Sequence, residues 1–124
     1  MTSTNASAQQ IAEDYTRAWM SGDVDQALGF LAEDVVCDAP AGRIEGLAAY
    51  RGFLEGFLPK LTGSSITKVL GDDTSAAVVY TTDTTFARDF RAMDYLTVGD
   101  GRITRVVTVF DRLPAAQARP RAEG

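Results

Sequence analysis

Two adjacent β-strand patterns within residues 90–111 constrain the fold of this chain more than any other feature. They are joined by Gly99-Asp100-Gly101, a tripeptide that accommodates the positive φ angles of a tight hairpin turn. Because side chains alternate along a strand, Asp94 shares one face with Ala92 and Leu96. A carboxylate among apolar neighbours loses its hydration, so we expect Asp94 to stay protonated or to have a strong partner. Asp94 is therefore the first candidate for a functional residue.

The rest of the chain predicts helices first and strands afterwards. Apolar periodicity predicts three helices, of which the second has a buried stripe that ends at Leu31 and the third spans about 47–58. A short β segment at 35–38 lies between these two helices and is broken by the residues that follow it. Segments rich in Val, Tyr and Thr predict strands at 65–70 and 75–86.

Segregated helices and hairpin-linked strands indicate an α+β fold. We expect a cone-shaped, curved antiparallel β-sheet that packs against three N-terminal helices and encloses a pocket. A single domain at 7–113 accounts for the pattern, because 124 residues leave no room for two independent cores. The flanking segments 1–6 and 114–124 have little apolar mass and are expected to be disordered.

Composition argues against several classes of function. The sequence contains no histidine, which removes Ser-His-Asp and Cys-His catalysis and His-ligated zinc. A net charge of −5 with scattered basic residues argues against a nucleic-acid partner. No apolar segment approaches the roughly 18 residues of a membrane span. We therefore expect neither a metal nor a cofactor, and neither a nucleic acid nor a membrane as partner.

The single cysteine, Cys37, cannot form an internal disulfide, and the N-terminal residues show no secretory signal pattern. A reducing, cytoplasmic location is therefore expected. Cys37 itself is interpreted as a small apolar core residue.

Four stretches of the sequence resemble the nuclear transport factor 2-like superfamily, in particular its SnoaL-like and ketosteroid-isomerase-like members. The stretches are Tyr15-Thr-Arg-Ala-Trp19 with Gly22-Asp23-Val24-Asp25, Phe30-Leu-Ala-Glu-Asp-Val-Val36 with Pro40-Ala-Gly42, Gly46-Leu-Ala-Ala-Tyr-Arg-Gly-Phe53, and Asp100-Gly-Arg-Ile103 with Val109-Phe-Asp111. The resemblance covers about residues 8–112 and implies the cone fold. It implies no single activity, because the superfamily includes isomerases, polyketide cyclases, dehydratases, epoxide hydrolases and proteins without catalysis.

By position, the resemblance implies that Tyr15 and a protonated Asp94 hold a developing oxyanion, as the corresponding pair does in ketosteroid isomerases. The residues alone leave alternatives open. Tyr15 could be an ordinary core tyrosine of an amphipathic helix. Asp94 could form an ion pair with Arg91 or Arg105, or a distorted strand could expose it to water.

The resemblance transfers less clearly for the catalytic base. The family's base usually precedes a proline, and this chain has Ala39 before Pro40. Asp38 is one residue earlier, which on a strand is the opposite face unless a bulge turns the side chain inward. Asp83 is the alternative base, and a chain in which neither side chain faces the pocket would lack this group.

The remaining candidate residues are expected to form the pocket wall. Thr108 stands where a limonene-epoxide-hydrolase-like member would need a catalytic aspartate. Two candidates share the face of Asp83, one shares the face of Asp94, and four are large aromatic residues. These substrate-binding candidates are Val79 and Thr81, Leu96, and Trp19, Phe53, Phe57 and Phe110.

These residues predict a cofactor-free, SnoaL-like enzyme that moves a proton by acid–base catalysis on a small hydrophobic molecule with a carbonyl group. Isomerisation, cyclisation and dehydration all fit this description. The alternative is a protein of the same fold without catalysis, which binds a small molecule or dimerises. Family resemblance implies a homodimer through the sheet, where Val107 and Val109 face away from the pocket and need covering.

Overall fold

The structure, a computed structural model, describes residues 7–40 and 42–110. The segments expected to be disordered, 1–6 and 114–124, lie outside the described residues, as does the predicted end of the domain at residue 113. The helices are α1 (Ala8–Met20), α2 (Val24–Leu28), α3 (Leu47–Phe57) and a 3₁₀ helix (Leu58–Lys60). The strands are β1 (Leu31–Ala39), β2 (Gly42–Glu45), β3 (Leu61–Gly71), β4 (Ser75–Thr84), β5 (Phe90–Gly99) and β6 (Arg102–Phe110).

The strands form one curved sheet in the order β2-β1-β6-β5-β4-β3, with the helices packed on one face. This confirms the α+β fold with a curved sheet and N-terminal helices. The expectation of a purely antiparallel sheet is wrong at one pair, because β1 and β6 run parallel. A hairpin turn between neighbouring strands is visible in a sequence, whereas a parallel pair needs a long crossover and leaves no such local signal.

The segment after α2 differs most from the predicted elements. Leu31 does not close a helical stripe; it begins β1 and is 1% exposed. β1 has nine residues, and Ala39 pairs with Gly42 of β2. The residues expected to break the sheet therefore form a hairpin, which extends the sheet by one strand.

Local capping explains where the helices begin. The Ser7 side chain accepts a hydrogen bond from the backbone N–H of Gln10, and the Asp23 side chain accepts one from the backbone N–H of Gln26. Pro59 lies in the 3₁₀ helix just after α3, in keeping with its missing backbone donor. None of the described helices is long and apolar enough to cross a membrane.

The hairpin of β5 and β6 positions the candidate acid. Its turn uses Asp100 at φ 53° and Gly101 at φ 77°, the left-handed geometry that the glycine-rich tripeptide predicts. In this register Asp94 lies opposite Thr108, and both residues are on the face covered by the helices. We call this the inner face of the sheet and the other the outer face. The inner face is closed at one end by fully buried Val78 and Leu96.

Candidate active site

A cavity of about 230 Å³ lies between the inner face of the sheet and helices α1 and α3. Its wall is mainly aromatic: Tyr15, Trp19, Tyr50, Phe53, Phe57, Tyr80, Phe86, Phe90 and Phe110. The polar side chains that line it are Cys37, Thr82, Asp94 and Thr108. Among the described lining residues, Asp94 is the only one with a charge at neutral pH.

Asp94 has two hydroxyl partners, which hold one of its carboxylate oxygens. The hydroxyl of Thr108 donates to Oδ1 at 2.8 Å, and the hydroxyl of Tyr80 donates to the same oxygen at 3.1 Å. No donor from the described residues contacts Oδ2, although the side chain is only 4% exposed. One carboxylate oxygen of Asp94 is thus fixed by the protein, and the other is available to a ligand in the cavity.

The surroundings of Asp94 act on its pKa in opposite directions. Burial among apolar groups disfavours the charged form, and this larger effect raises the pKa of Asp94 from 3.8 to about 6. The hydroxyls of Thr108 and Tyr80 stabilise the carboxylate and limit the rise in pKa. A carboxyl group with a pKa of about 6 is mostly ionised at pH 7 and can still accept a proton readily.

A short chain of hydrogen bonds extends from Asp94 to Cys37. The Cys37 sulfur lies 3.9 Å from the Thr108 hydroxyl oxygen. Because Thr108 donates its proton to Asp94, the thiol is the donor in this contact. Burial raises the pKa of the Cys37 thiol, so this side chain stays protonated and is no activated nucleophile.

Tyr15 and Tyr50 bring their hydroxyl oxygens to 2.6 Å from each other in the wall of the cavity. Two hydroxyl groups carry two protons, and the bond between them uses only one. The second proton is therefore available for an acceptor on a ligand. Burial is the main cause of a high pKa for both phenols, so both remain protonated at physiological pH.

The aromatic side chains divide into a deep group and an outer group. Trp19 packs edge-to-face against Tyr80 at 5.2 Å in the buried part. Phe53 and Phe57 of α3 stack in parallel at 5.9 Å, and Phe53 is 46% exposed. Phe90 packs edge-to-face against Phe110 at 5.1 Å. The exposed rings therefore mark the mouth, and the tyrosine hydroxyls and Asp94 mark the deep end.

Seven of the residues proposed from the sequence line this cavity. They are Tyr15, Trp19, Phe53, Phe57, Asp94, Thr108 and Phe110. Their position brings Tyr15 and Asp94 together, as the resemblance implies, but it does not test their catalytic roles. Of the two possibilities open for Asp94, a strong partner is the one observed. That partner is neither Arg91 nor Arg105 but a pair of hydroxyl groups.

Asp38 does not line the cavity. Cys37 and Ala39 on either side of it face inward, so Asp38 faces outward, as strict alternation along β1 requires. Its carboxylate pairs with Arg43 at 2.8 Å and with Arg105. The bond from Arg43, together with that from Arg105, lowers the pKa of Asp38. The structure thus corrects the expectation that a bulge turns Asp38 toward the pocket.

Asp83 and its two neighbours on β4 also face outward. Burial alternates along β4 so that Val78, Tyr80 and Thr82 form the inner face, and Thr82 contributes to the cavity wall. Asp83 accepts a hydrogen bond from the backbone N–H of Asp89 at 2.8 Å. Val79 and Thr81, proposed as substrate-binding residues, share this outward direction, and none of the three lines the cavity.

Leu96 has the predicted face but not the predicted contact. It is 0% exposed and belongs to the core at the closed end of the sheet, so it is absent from the cavity wall. Its side chain supports the cavity without reaching a ligand.

Several lining residues were not proposed from the sequence as site residues: Cys37, Tyr50, Tyr80, Phe86 and Phe90. For Tyr50 a signal exists, since its helical spacing to Leu54 and Phe57 places it on the face of α3 that packs inward. For Tyr80 the signal is weaker, because β4 carries apolar and hydroxyl residues on both of its faces.

The sequence profile of the SnoaL-like domain family matches residues 12–106. The chain belongs to this family. No curated protein sequence matches it significantly. Solved structures similar to this SnoaL-like protein include a Kribbella flavida protein with 44% identity and a TM-score of 0.86, over 91% of this chain and 93% of that chain.

Two further structures resemble this SnoaL-like protein and carry descriptions of activity. A candidate ketosteroid isomerase from Kribbella flavida is 27% identical, with a TM-score of 0.76, over 84% of this chain and 77% of that chain. An LEH-like epoxide hydrolase from M. tuberculosis is 21% identical, with a TM-score of 0.73, over 90% of this chain and 87% of that chain. The second likeness shows the fold alone.

Proposed function

We propose that this SnoaL-like protein is a cofactor-free enzyme that transfers a proton at a carbon next to a carbonyl group. The substrate is a small hydrophobic molecule, and the reaction is an isomerisation, cyclisation or dehydration through an enolate. The proposal keeps the sequence-based prediction but assigns the proton transfer to Asp94. The single observation that carries it is the pairing of one free carboxylate oxygen with one spare tyrosine O–H in the same apolar cavity.

These two groups match the needs of enolate formation. Removal of a proton from the α-carbon needs a base, and the carbonyl oxygen becomes negative as the proton leaves. Oδ2 of Asp94 supplies the base, since Tyr80 and Thr108 occupy only Oδ1. The spare proton of the Tyr15–Tyr50 pair supplies the hydrogen bond to the oxyanion. Such a donor is most effective in a cavity that excludes water.

In the first step Oδ2 of Asp94 takes the α-proton and the C–H bond breaks. Its electron pair forms the carbon–carbon double bond of the enolate, and the carbonyl π pair moves to the oxygen. The tyrosine pair holds this oxygen. In the second step the carboxylic acid returns the proton to the same or to a different carbon, which regenerates the Asp94 carboxylate.

This assignment differs from the role that family resemblance implies for Asp94. A protonated aspartic acid would donate to the oxyanion, whereas two hydroxyls that donate to Oδ1 favour the ionised form. A pKa of about 6 leaves Asp94 mainly as a carboxylate at neutral pH. The tyrosine pair is then the main donor, and Asp94 is the base.

A second candidate function is binding without catalysis. Ala39 lines the cavity at the position where the family's base is expected, and Asp38 and Asp83 face outward. If Asp94 serves only to hold a ligand, the same cavity describes a small-molecule-binding protein. The two functions differ in one respect, which is whether Asp94 exchanges a proton with bound carbon.

Deuterium exchange into a bicyclic ketone tests the proposal. The probe is 2-tetralone in D₂O, whose α-protons are followed by ¹H NMR with and without protein. We expect the protein to accelerate exchange, and Asp94→Asn to slow it by roughly 10²- to 10⁴-fold, the usual contribution of a positioned base. Asp34→Asn is the matched control, because Asp34 is exposed on the first strand of the chain.

The outcome that contradicts catalysis is binding of 2-tetralone without acceleration of its exchange. Equal acceleration by wild type and Asp94→Asn would remove Asp94 from the mechanism. Folding of each variant is checked by circular dichroism, so that a lost activity is not confused with a lost fold.

We also propose a homodimer through the outer face of the sheet. Met93, Tyr95 and Val109 are exposed there, and the register places Met93 directly opposite Val109, so they form one apolar patch. Asp38 and Arg105 lie on the same face and offer charges of both signs to a second copy. Sedimentation should show a dimer that Val109→Glu dissociates, whereas a monomeric wild type would contradict the proposal.

A further inference from the structure

We propose that the ligand of this cavity is a flat molecule of one or two rings that carries no anionic group. The inference deepens the proposed proton transfer and rests on it only for the name of substrate. The ligand class itself follows from three properties of the cavity, which are its volume, its aromatic wall and its charge.

Volume sets the size of the ligand. The cavity holds about 230 Å³. An apolar cavity of about 150 Å³ is sufficient for benzene, and sites for drug-sized ligands begin at about 300 Å³. The cavity therefore exceeds the need of one aromatic ring and lies below that of larger ligands. One or two fused rings fit this interval, whereas a four-ring skeleton does not.

The aromatic wall sets the shape of the ligand. Phe53 and Phe57 present parallel rings from α3, with only 2° between their planes. Phe90 and Phe110 lie edge-to-face on the strands β5 and β6. A flat ring can stack on the helical rings or meet the edges of the strand rings, and each such contact adds affinity beyond simple burial. A saturated, puckered ring of the same size gains the burial but not the ring contacts.

Charge sets the electrostatic class of the ligand. Asp94 supplies a negative charge at the deep end, and no Lys or Arg occurs among the described residues that line the cavity. Arg43 and Arg105 lie across the sheet, where Asp38 already binds both. A carboxylate ligand would meet a buried carboxylate with no cation between them, which is strongly unfavourable in a low-dielectric site. Neutral ligands avoid this repulsion.

The position of the open oxygen makes the charge argument specific. Oδ2 of Asp94 is the atom that a ligand meets, since Oδ1 is held by Tyr80 and Thr108. An anionic group at the deep end would therefore face the one oxygen whose charge no protein donor shares. Replacement of Asp94 by asparagine should remove most of the selection against anions and leave the selection by shape intact.

A matched series of four probes tests size, shape and charge separately. They are 2-tetralone, its saturated counterpart trans-2-decalone, the anion 2-naphthoate and the four-ring ketone androstenedione. Binding is followed at pH 8 through the indole N–H signal of Trp19 in ¹H–¹⁵N NMR spectra. Trp19 is the single tryptophan of the sequence and lines the cavity, so its signal is both unambiguous and local.

For the wild-type protein, we expect 2-tetralone to bind roughly 2- to 10-fold more tightly than trans-2-decalone, from the ring contacts. We expect 2-naphthoate to bind at least roughly 100-fold more weakly than 2-tetralone, from the repulsion by Asp94. Androstenedione should not shift the Trp19 signal. In Asp94→Asn the difference between 2-naphthoate and 2-tetralone should fall below roughly 10-fold.

The aromatic wall is tested by a second variant, which keeps the proposal falsifiable if Asp94→Asn does not fold. Phe57→Leu should abolish the preference for 2-tetralone over trans-2-decalone. Phe30→Leu is its control, because Phe30 packs against the core but does not line the cavity, and it should keep the preference.

Three results would overturn the proposal: wild-type binding of 2-naphthoate as tight as that of 2-tetralone, tight binding of androstenedione, or equal binding of the two bicyclic ketones. Failure of the ligand class is distinguishable from failure of the proposed function. The predicted order of affinities without deuterium exchange would refute only the catalysis. Exchange with a reversed order of affinities would refute only the ligand class.

Discussion

Replacement of Asp94 by asparagine should stabilise the protein at neutral pH, although it removes a buried group that makes two hydrogen bonds. Asparagine keeps a carbonyl oxygen that can accept from Tyr80 and Thr108 at the place of Oδ1. It removes only the charge, whose burial raises the pKa of Asp94 from 3.8 to about 6. The variant therefore isolates the free energy of one buried negative charge.

The sign and the size of the effect follow from linkage between folding and protonation. With a pKa raised in the folded state, the native protein binds more protons than the unfolded chain between pH 3.8 and about 6. The contribution of Asp94 to stability is fully present below pH 3.8 and is lost as the pH rises through about 6. A shift from 3.8 to about 6 corresponds to about 3 kcal/mol.

Urea denaturation between pH 4 and pH 7.5 measures this contribution. Other groups titrate in the same interval, but they act on both proteins, so the difference in free energy of unfolding between Asp94→Asn and wild type isolates position 94. This difference should rise by about 3 kcal/mol from the acidic to the neutral end. For Asp34→Asn, a change at an exposed position, the difference should stay within about 0.5 kcal/mol. A difference that is flat or falls with pH would refute a buried, raised-pKa Asp94.

Two further predictions concern residues on either side of the sheet. Tyr15→Phe should lower the rate of 2-tetralone exchange by roughly 10- to 100-fold in kcat, because the oxyanion loses its tyrosine pair, whereas Tyr95→Phe on the outer face should not change it. Asp38→Asn should leave the exchange rate unchanged, since its ion pairs with Arg43 and Arg105 lie away from the cavity, and a large loss would place Asp38 in the mechanism.

The position of Asp94 is predictable from the sequence because two local signals agree. The turn Gly99-Asp100-Gly101 fixes the register of the hairpin, and the alternation along β5 then fixes which residues share the face of Asp94. Leu96 illustrates the limit of this reasoning. Alternation gives the face of a residue but not its depth, so it cannot distinguish a cavity wall from the core behind it.

The face assignment of β4 could not be made from the sequence alone. Val78 and Val79 are equally apolar, and Tyr80 is followed by two threonines, so the pattern has no clear alternation. The wrong choice of face placed Val79 and Thr81 in the pocket and left out Tyr80. The direction of this strand is settled by its packing against α1, a contact between segments far apart in sequence.

The partners of Asp94 could not be predicted for a related reason. Thr108 is its direct neighbour across the hairpin, so this contact follows once the register is known. Tyr80 reaches Asp94 from the other side, and the pair of Tyr15 and Tyr50 requires that α1 and α3 meet over the sheet. Only the tertiary structure shows that the acid is a hydroxyl-bound carboxylate rather than a member of an ion pair.

The dependence of 2-tetralone exchange on pH tests the role of Asp94 most directly. After subtraction of the rate without protein, kcat for exchange should rise with pH to a plateau, with a midpoint at about 6, because only the ionised carboxylate accepts the α-proton. A rate that falls as the pH rises through about 6 would contradict this account. It would show instead that Asp94 acts as a protonated donor to the oxyanion.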